Sequence, residues 1–159
     1  MNPIHRLLPI CIRRPEPFAL FLDFDGVLHP SQSATFRYLP AFEATLRGYP
    51  DIDIVISSNW REGEPFDELL DYFSAGFRDR LIGATAVLPG PYSRQREIEA
   101  YCRSFGIERW LAIDDDGTLF VPGCPQLILL SRNEALDEVG RRRLADRLAA
   151  WTHSPWTGS

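Results

Sequence analysis

Asp23 and Asp25 stand two positions apart, at the end of the apolar run from Phe18 and just before Gly26. One such carboxylate can attack a phosphorus atom in line while the other protonates the departing oxygen. Gly26 can take a turn conformation closed to other residues. Two acids this close repel each other unless a cation lies nearby, so bound Mg²⁺ is expected. A second acidic run, Asp114, Asp115 and Asp116, follows Trp110 to Ile113. Three acids at one strand end are also costly without a cation. A solvated Asp-Gly turn is the plain alternative for Asp25, and the apolar approach and paired carboxylate weigh against it.

These acids are far apart in the chain, so a scaffold must bring them together. Phe18 to Asp23 reads as a buried parallel strand. Pro40 opens a helix with Leu39, Phe42 and Leu46 on one side, ended by Gly48 and Pro50. Ile52, Ile54, Val55 and Ile56 form a second strand that stops at Ser57, Ser58 and Asn59. Pro65 suits the first turn of a helix carrying Phe66, Leu69, Leu70 and Phe73. A weaker strand is predicted near Ala84 to Leu88. Ile98, Tyr101, Cys102 and Phe105 then make a helical stripe closed by Gly106. Trp110 to Ile113 and Leu127 to Leu130 are the fourth and fifth strands. Ser131 and Glu134 have capping-box spacing before a last helix, with Leu136, Val139, Leu144, Leu148 and Trp151 inward.

The alternation predicts an α/β, three-layer Rossmann-like fold: a central, mainly parallel five-stranded sheet with helices on both faces. Residues 1–17, rich in proline, are expected to be an irregular lead-in, 18–151 the domain, and 152–159 a loose tail. Ligands in such sheets bind beyond the carboxyl ends of the strands. Asp23, Ser57 and Asp114 all fall there.

The stretch Phe21-Leu22-Asp23-Phe24-Asp25-Gly26-Val27-Leu28 resembles the first motif of the haloacid dehalogenase superfamily. The resemblance implies that Asp23 forms a phosphoaspartate and that Asp25 is the general acid and base, its main-chain carbonyl helping to hold Mg²⁺. An acid at Asp25 points to phosphatase or phosphomutase chemistry, since dehalogenase members lack it and transport ATPases carry threonine there. Ser57, with Ser58 and Asn59 beside it, is similar to the second motif, whose hydroxyl and amides bind the phosphoryl group. The third-motif cation corresponds to Arg94 or Arg96, with Arg94 matching the family's usual offset and the other a solvated helix residue, and would offset repulsion between phosphate and Asp23. Asp114 and Asp115 resemble the acidic pair of the fourth motif: Asp114 as a metal ligand, Asp115 as a second ligand or an orienter of a metal-bound water. Asp114 to Leu119 also reads as a first motif, but only one strand and one helix follow it, so chain order selects Asp23. The resemblance covers roughly residues 18 to 148. Ser-Ser-Asn-Trp-Arg and Ile-Asp-Asp-Asp are similar to a compact subgroup that occurs alone and as a domain of RNA-repair proteins.

The gaps after Leu28 and after Trp60 are too short for the cap that usually covers small metabolites in this superfamily. An open site grips a small substrate poorly, so the expected substrate is bulky: a phosphorylated nucleic-acid end or a phosphoprotein. Arg37, Arg61, Arg78 and Arg80 could contact backbone phosphates, and Phe36, Tyr38 and Trp60 could stack on a base. Flap packing and solvated charge are the alternatives for those residues, and His29 reads as a turn histidine. The net charge of -5 supplies no general attraction to nucleic acid or anionic membrane. The 159 residues include 3 cysteines, widely spaced, and no apolar run long enough to span a bilayer, so a reducing cytoplasm is the expected location. Rival functions are a small-metabolite or nucleotide phosphatase, and a non-catalytic module that binds phosphorylated partners. Such a module usually loses one catalytic acid, and here all are present.

Overall fold

The computed structural model describes residues 8–153. The rest of the expected lead-in and tail, residues 1–7 and 154–159, lies outside the described residues. Strand β2 (Phe18–Leu22) is the centre of the sheet, because its residues are apolar on both sides. It pairs in parallel with β3 (Asp53–Ile56) on one side and β5 (Arg109–Asp114) on the other. Beyond them lie β4 (Leu81–Ala84) and β6 (Leu127–Leu129), both parallel to their neighbours.

Side chains alternate between the two faces of these strands, so two cores form. Leu20, Leu22, Ile54, Ile56, Leu111 and Ile113 face one core. Phe42 and Leu46 of α1 (Leu39–Arg47) pack there, with Leu144 and Leu148 of α5 (Glu138–His153). Ala19, Phe21, Val55 and Ala112 face the other core, against Ile98, Tyr101 and Cys102 of α4 (Ser93–Phe105). The result is the expected three-layer α/β arrangement.

Several details differ from expectation. Among the described residues the sheet has six strands, the additional one, β1, being Ile10–Cys11, in the order β1-β4-β3-β2-β5-β6. The added strand comes from the expected irregular lead-in and runs antiparallel to β4. Gly83 makes that pairing possible: a Cβ there would overlap the Ile10 carbonyl and the Tyr101 hydroxyl. The weak strand lies at Leu81–Ala84, earlier than expected, because Leu81 and Ile82 are the residues that enter the two cores. The helix after Pro65 is short, α3 (Phe66–Leu70), and a further turn of helix, α2 (Trp60–Gly63), precedes it.

The capping box at Ser131 does not form. The Ala135 N–H closes a turn onto Ser131 O at 2.6 Å, and the Leu136 N–H donates to Val27 O at 3.0 Å. That link to the first motif holds the segment outside a helix. Helix α5 starts later, where Asp137 Oδ1 accepts the Gly140 N–H at 2.9 Å. Val139, expected inward, is 63% exposed.

Candidate active site

The parallel register places the C-terminal ends of β2, β3 and β5 side by side. The Ser57 N–H donates to Leu22 O at 3.0 Å, and the Asp23 N–H donates to Ile113 O at 3.2 Å. Asp23, the Ser57 to Asn59 segment and Asp114 therefore meet at one edge of the sheet. Carboxylate oxygens of Asp23, Asp114 and Asp115 all lie within 4.8 Å of one another. Gly26 (φ +71°) makes this possible from below, because a Cβ there would overlap the Asp115 carboxylate. They line a cleft of about 150 Å³ with Asp25, Ser58, Asn59 and Arg94. Ser57 is buried and does not itself line the cleft.

Arg94, in the first turn of α4, is the cation of this cluster. It donates to Asp114 Oδ2 at 2.7 Å and to Asn59 Oδ1 at 3.0 Å, and its Nη1 lies 3.7 Å from Asp23 Oδ1. Arg96 is not brought to the cleft; it donates to Pro89 O at 2.6 Å. Two residues apart on a helix, the side chains point to different sides.

Burial pushes the Asp23 carboxyl well above its ordinary range, with the Asp114 charge adding to the effect and Arg94 opposing it. Burial raises Asp114 too, against the pull of Arg94 and the Asp116 N–H. Burial would lower Arg94, but the charges of Asp114, Asp23 and Glu97 outweigh it and hold the guanidinium charged. A site with crowded carboxylates and one buried arginine is short of positive charge. Hard oxygen donors of this kind fit Mg²⁺, which is held by carboxylates and keeps water or phosphate at its other positions. Asp23, Asp114 and Asp115 are the side chains that would hold it.

Asp25 is set apart from that trio. Burial pushes its carboxyl up, but hydrogen bonds from His29, Trp60 and the Gln32 N–H outweigh burial and bring it below its ordinary value. His29, read from sequence as a turn residue, is fully buried.

The arginines expected around an open site have other partners. Arg61 is 8% exposed, and its N–H groups bond to the carbonyls of Ser57, Ser58, Thr85 and Ala86 and to Glu97. It ties the ends of β3 and β4 to α4. Arg78 and Arg80 donate to carbonyls of Leu70 and Phe73, and of Leu46, Tyr49 and Ile52. Arg37 lies over the Tyr38 ring. Trp60 and Phe36 pack on each other and on Phe24. Two residues that sequence reasoning missed, Ser31 and Arg132, line the mouth of the cleft. The Ser31 N–H donates to Arg132 O at 2.8 Å, a contact between distant segments with no local pattern to announce it. A larger cavity of about 210 Å³ lies against Phe66, Leu69 and Ala84, but it is mostly apolar and none of Asp23, Asp25, Asp114 and Asp115 lines it.

Fold and site together define a three-layer α/β domain with an acidic cleft at the strand ends. A family model described as the HAD domain in Swiss Army Knife RNA repair proteins matches residues 19–139, and the chain belongs to that family of the haloacid dehalogenase superfamily. No curated protein and no solved structure gives a significant match.

Proposed function

We propose that this domain is a Mg²⁺-dependent phosphomonoester hydrolase working through a phosphoaspartate at Asp23. The observation that carries the reading is the convergence of Asp23, Asp114 and Asp115 within 4.8 Å of one another, beside a buried Arg94. In this reading an Asp23 oxygen attacks phosphorus while Asp25 protonates the leaving oxygen. Asp25 then takes a proton from the water that cleaves the acyl phosphate. Arg94 and the Ser57, Ser58 and Asn59 segment bind the phosphoryl oxygens. Mg²⁺ would neutralise charge on the phosphoryl group and on the acids that hold it.

The substrate we propose is bulky, with a phosphorylated nucleic-acid end preferred over a phosphoprotein. Two features support this: turns and short helices, with no cap domain, follow the first and second motifs among the described residues, and the matched family is described from RNA repair proteins. Three free thiols, and the absence among the described residues of any helix long and apolar enough to cross a membrane, are compatible with a cytoplasmic setting. The test is phosphate release from p-nitrophenyl phosphate with and without Mg²⁺. Metal-dependent turnover that Asp23→Asn abolishes is expected. Equal turnover by Asp23→Asn would refute the nucleophile.

A further inference from the structure

Asp25 is gripped by side chains that lie outside the acidic trio. Its Oδ1 accepts from His29 Nε2 at 2.8 Å and from the Gln32 N–H at 3.3 Å. Its Oδ2 accepts from the Trp60 indole Nε1 at 3.0 Å. The other nitrogen of His29 decides the tautomer. Nδ1 accepts the Phe36 N–H at 3.3 Å, so it keeps its lone pair and Nε2 carries the hydrogen. Both rings are held by packing. His29 is 0% exposed, with its centroid 4.7 Å from that of Phe36 and 5.7 Å from that of Trp60. Trp60 in turn lies 5.7 Å from Phe24 and 5.4 Å from Tyr72. Neither donor can swing away from Asp25 without unpacking this cluster.

A carboxylate oxygen has two lone pairs. On Oδ1 both are engaged, whereas Oδ2 keeps one beyond the Trp60 bond. We propose that His29 and Trp60 are positioning residues that fix the rotation of Asp25, leaving Oδ2 as the atom that gives and takes the catalytic proton. The proposal rests on the phosphatase reading above. As the Asp23–phosphorus bond forms and the bond to the leaving group breaks, the Oδ2 proton passes to the leaving oxygen. In the second half, the water oxygen bonds to phosphorus as the Asp23–phosphorus bond breaks, the water's proton passes to Oδ2, and phosphate leaves with Oδ2 protonated for the next cycle.

Trp60→Phe removes the donor and keeps a ring in the cluster. The test is kcat/KM across aryl and alkyl phosphates of increasing leaving-group pKa, with circular dichroism confirming the fold. A poor leaving group needs the proton most, so the loss in Trp60→Phe should grow along the series, reaching on the order of tenfold to hundredfold for alkyl phosphates. His29→Gln, which keeps an N–H near the Nε2 position, should retain a shallower dependence than His29→Leu. A loss that is uniform along the series, or absent, would overturn the proposal. A second readout needs no turnover. The Trp60 indole N–H resonance, assigned by its disappearance in Trp60→Phe, should move upfield in Asp25→Ala. An unmoved resonance would overturn the contact itself. Wild-type protein that hydrolyses none of the substrates would instead refute the phosphatase reading, and the indole resonance would still decide the contact.

Discussion

At Asp23 and Asp114, burial makes the folded protein hold protons more tightly than the unfolded chain does. Their folded pKa values lie above the ordinary 3.8, so without metal their contribution to stability is present below that value and is lost as pH rises toward the raised values. A cation bound to the same oxygens replaces the protons. Mg²⁺ should therefore raise the melting temperature more at about pH 8 than at about pH 5. The paired change Asp23→Asn with Asp114→Asn should remove that difference; a Mg²⁺ effect that is equal at both pH values would contradict the assignment. Arg94 and Arg96 make a sharper contrast. Arg94→Ala should lower kcat/KM by on the order of 10²-fold, while Arg96→Ala should leave it within about twofold, because Arg96 reaches only Pro89 O. The acids were legible in the sequence because each follows an apolar strand and has an acidic neighbour. Between Arg94 and Arg96 the sequence favoured Arg94 only by the resemblance, since the residues themselves do not say which way each side chain points. The Trp60 bond to Asp25 was not legible either, since the two are 35 positions apart and no local spacing reveals it; His29 is only four positions from Asp25, but nothing in a turn histidine's sequence setting announces its burial.

At the scale of elements, the site depends on Arg61 more than on any substrate contact that Arg61 could make. Its guanidinium joins the carbonyls after β3 and β4 to Glu97 on α4, the helix that also presents Arg94. Arg61→Met should remove this donor from the Ser57, Thr85 and Ala86 carbonyls, leave Glu97 to the Leu88 N–H and Arg94, and reduce stability by about 3 kcal/mol. Urea unfolding would measure this, and a change under about 0.5 kcal/mol would mean the network is not structural. The long strands and helices were readable because their apolar residues recur with periods of two and of three to four. Strand β1 was not, since two residues among prolines carry no period and pair only because Gly83 leaves room. The start of α5 was misplaced because the Ser131 to Glu134 spacing was satisfied locally. The Leu136 bond to Val27 O, from the first-motif turn, overrides it.

At the scale of the whole molecule, the three-layer fold delivers the ends of β2, β3 and β5 to one edge and leaves the cleft open above them. An open cleft implies discrimination by what the substrate brings to the mouth. Arg132, which lines that mouth, would meet a second phosphate. Arg132→Ala should raise KM several-fold for a 3′- or 5′-phosphorylated oligonucleotide and leave that for p-nitrophenyl phosphate unchanged. Equal effects on both would count against a nucleic-acid end. The central claim remains covalent chemistry at Asp23, and acid quenching during turnover of a phosphate-labelled substrate tests it most directly. Peptide mapping should find the phosphoryl label on the peptide that contains Asp23, and none in Asp23→Asn. Turnover without a trapped label, or a label on the peptide that contains Asp114, would contradict the account.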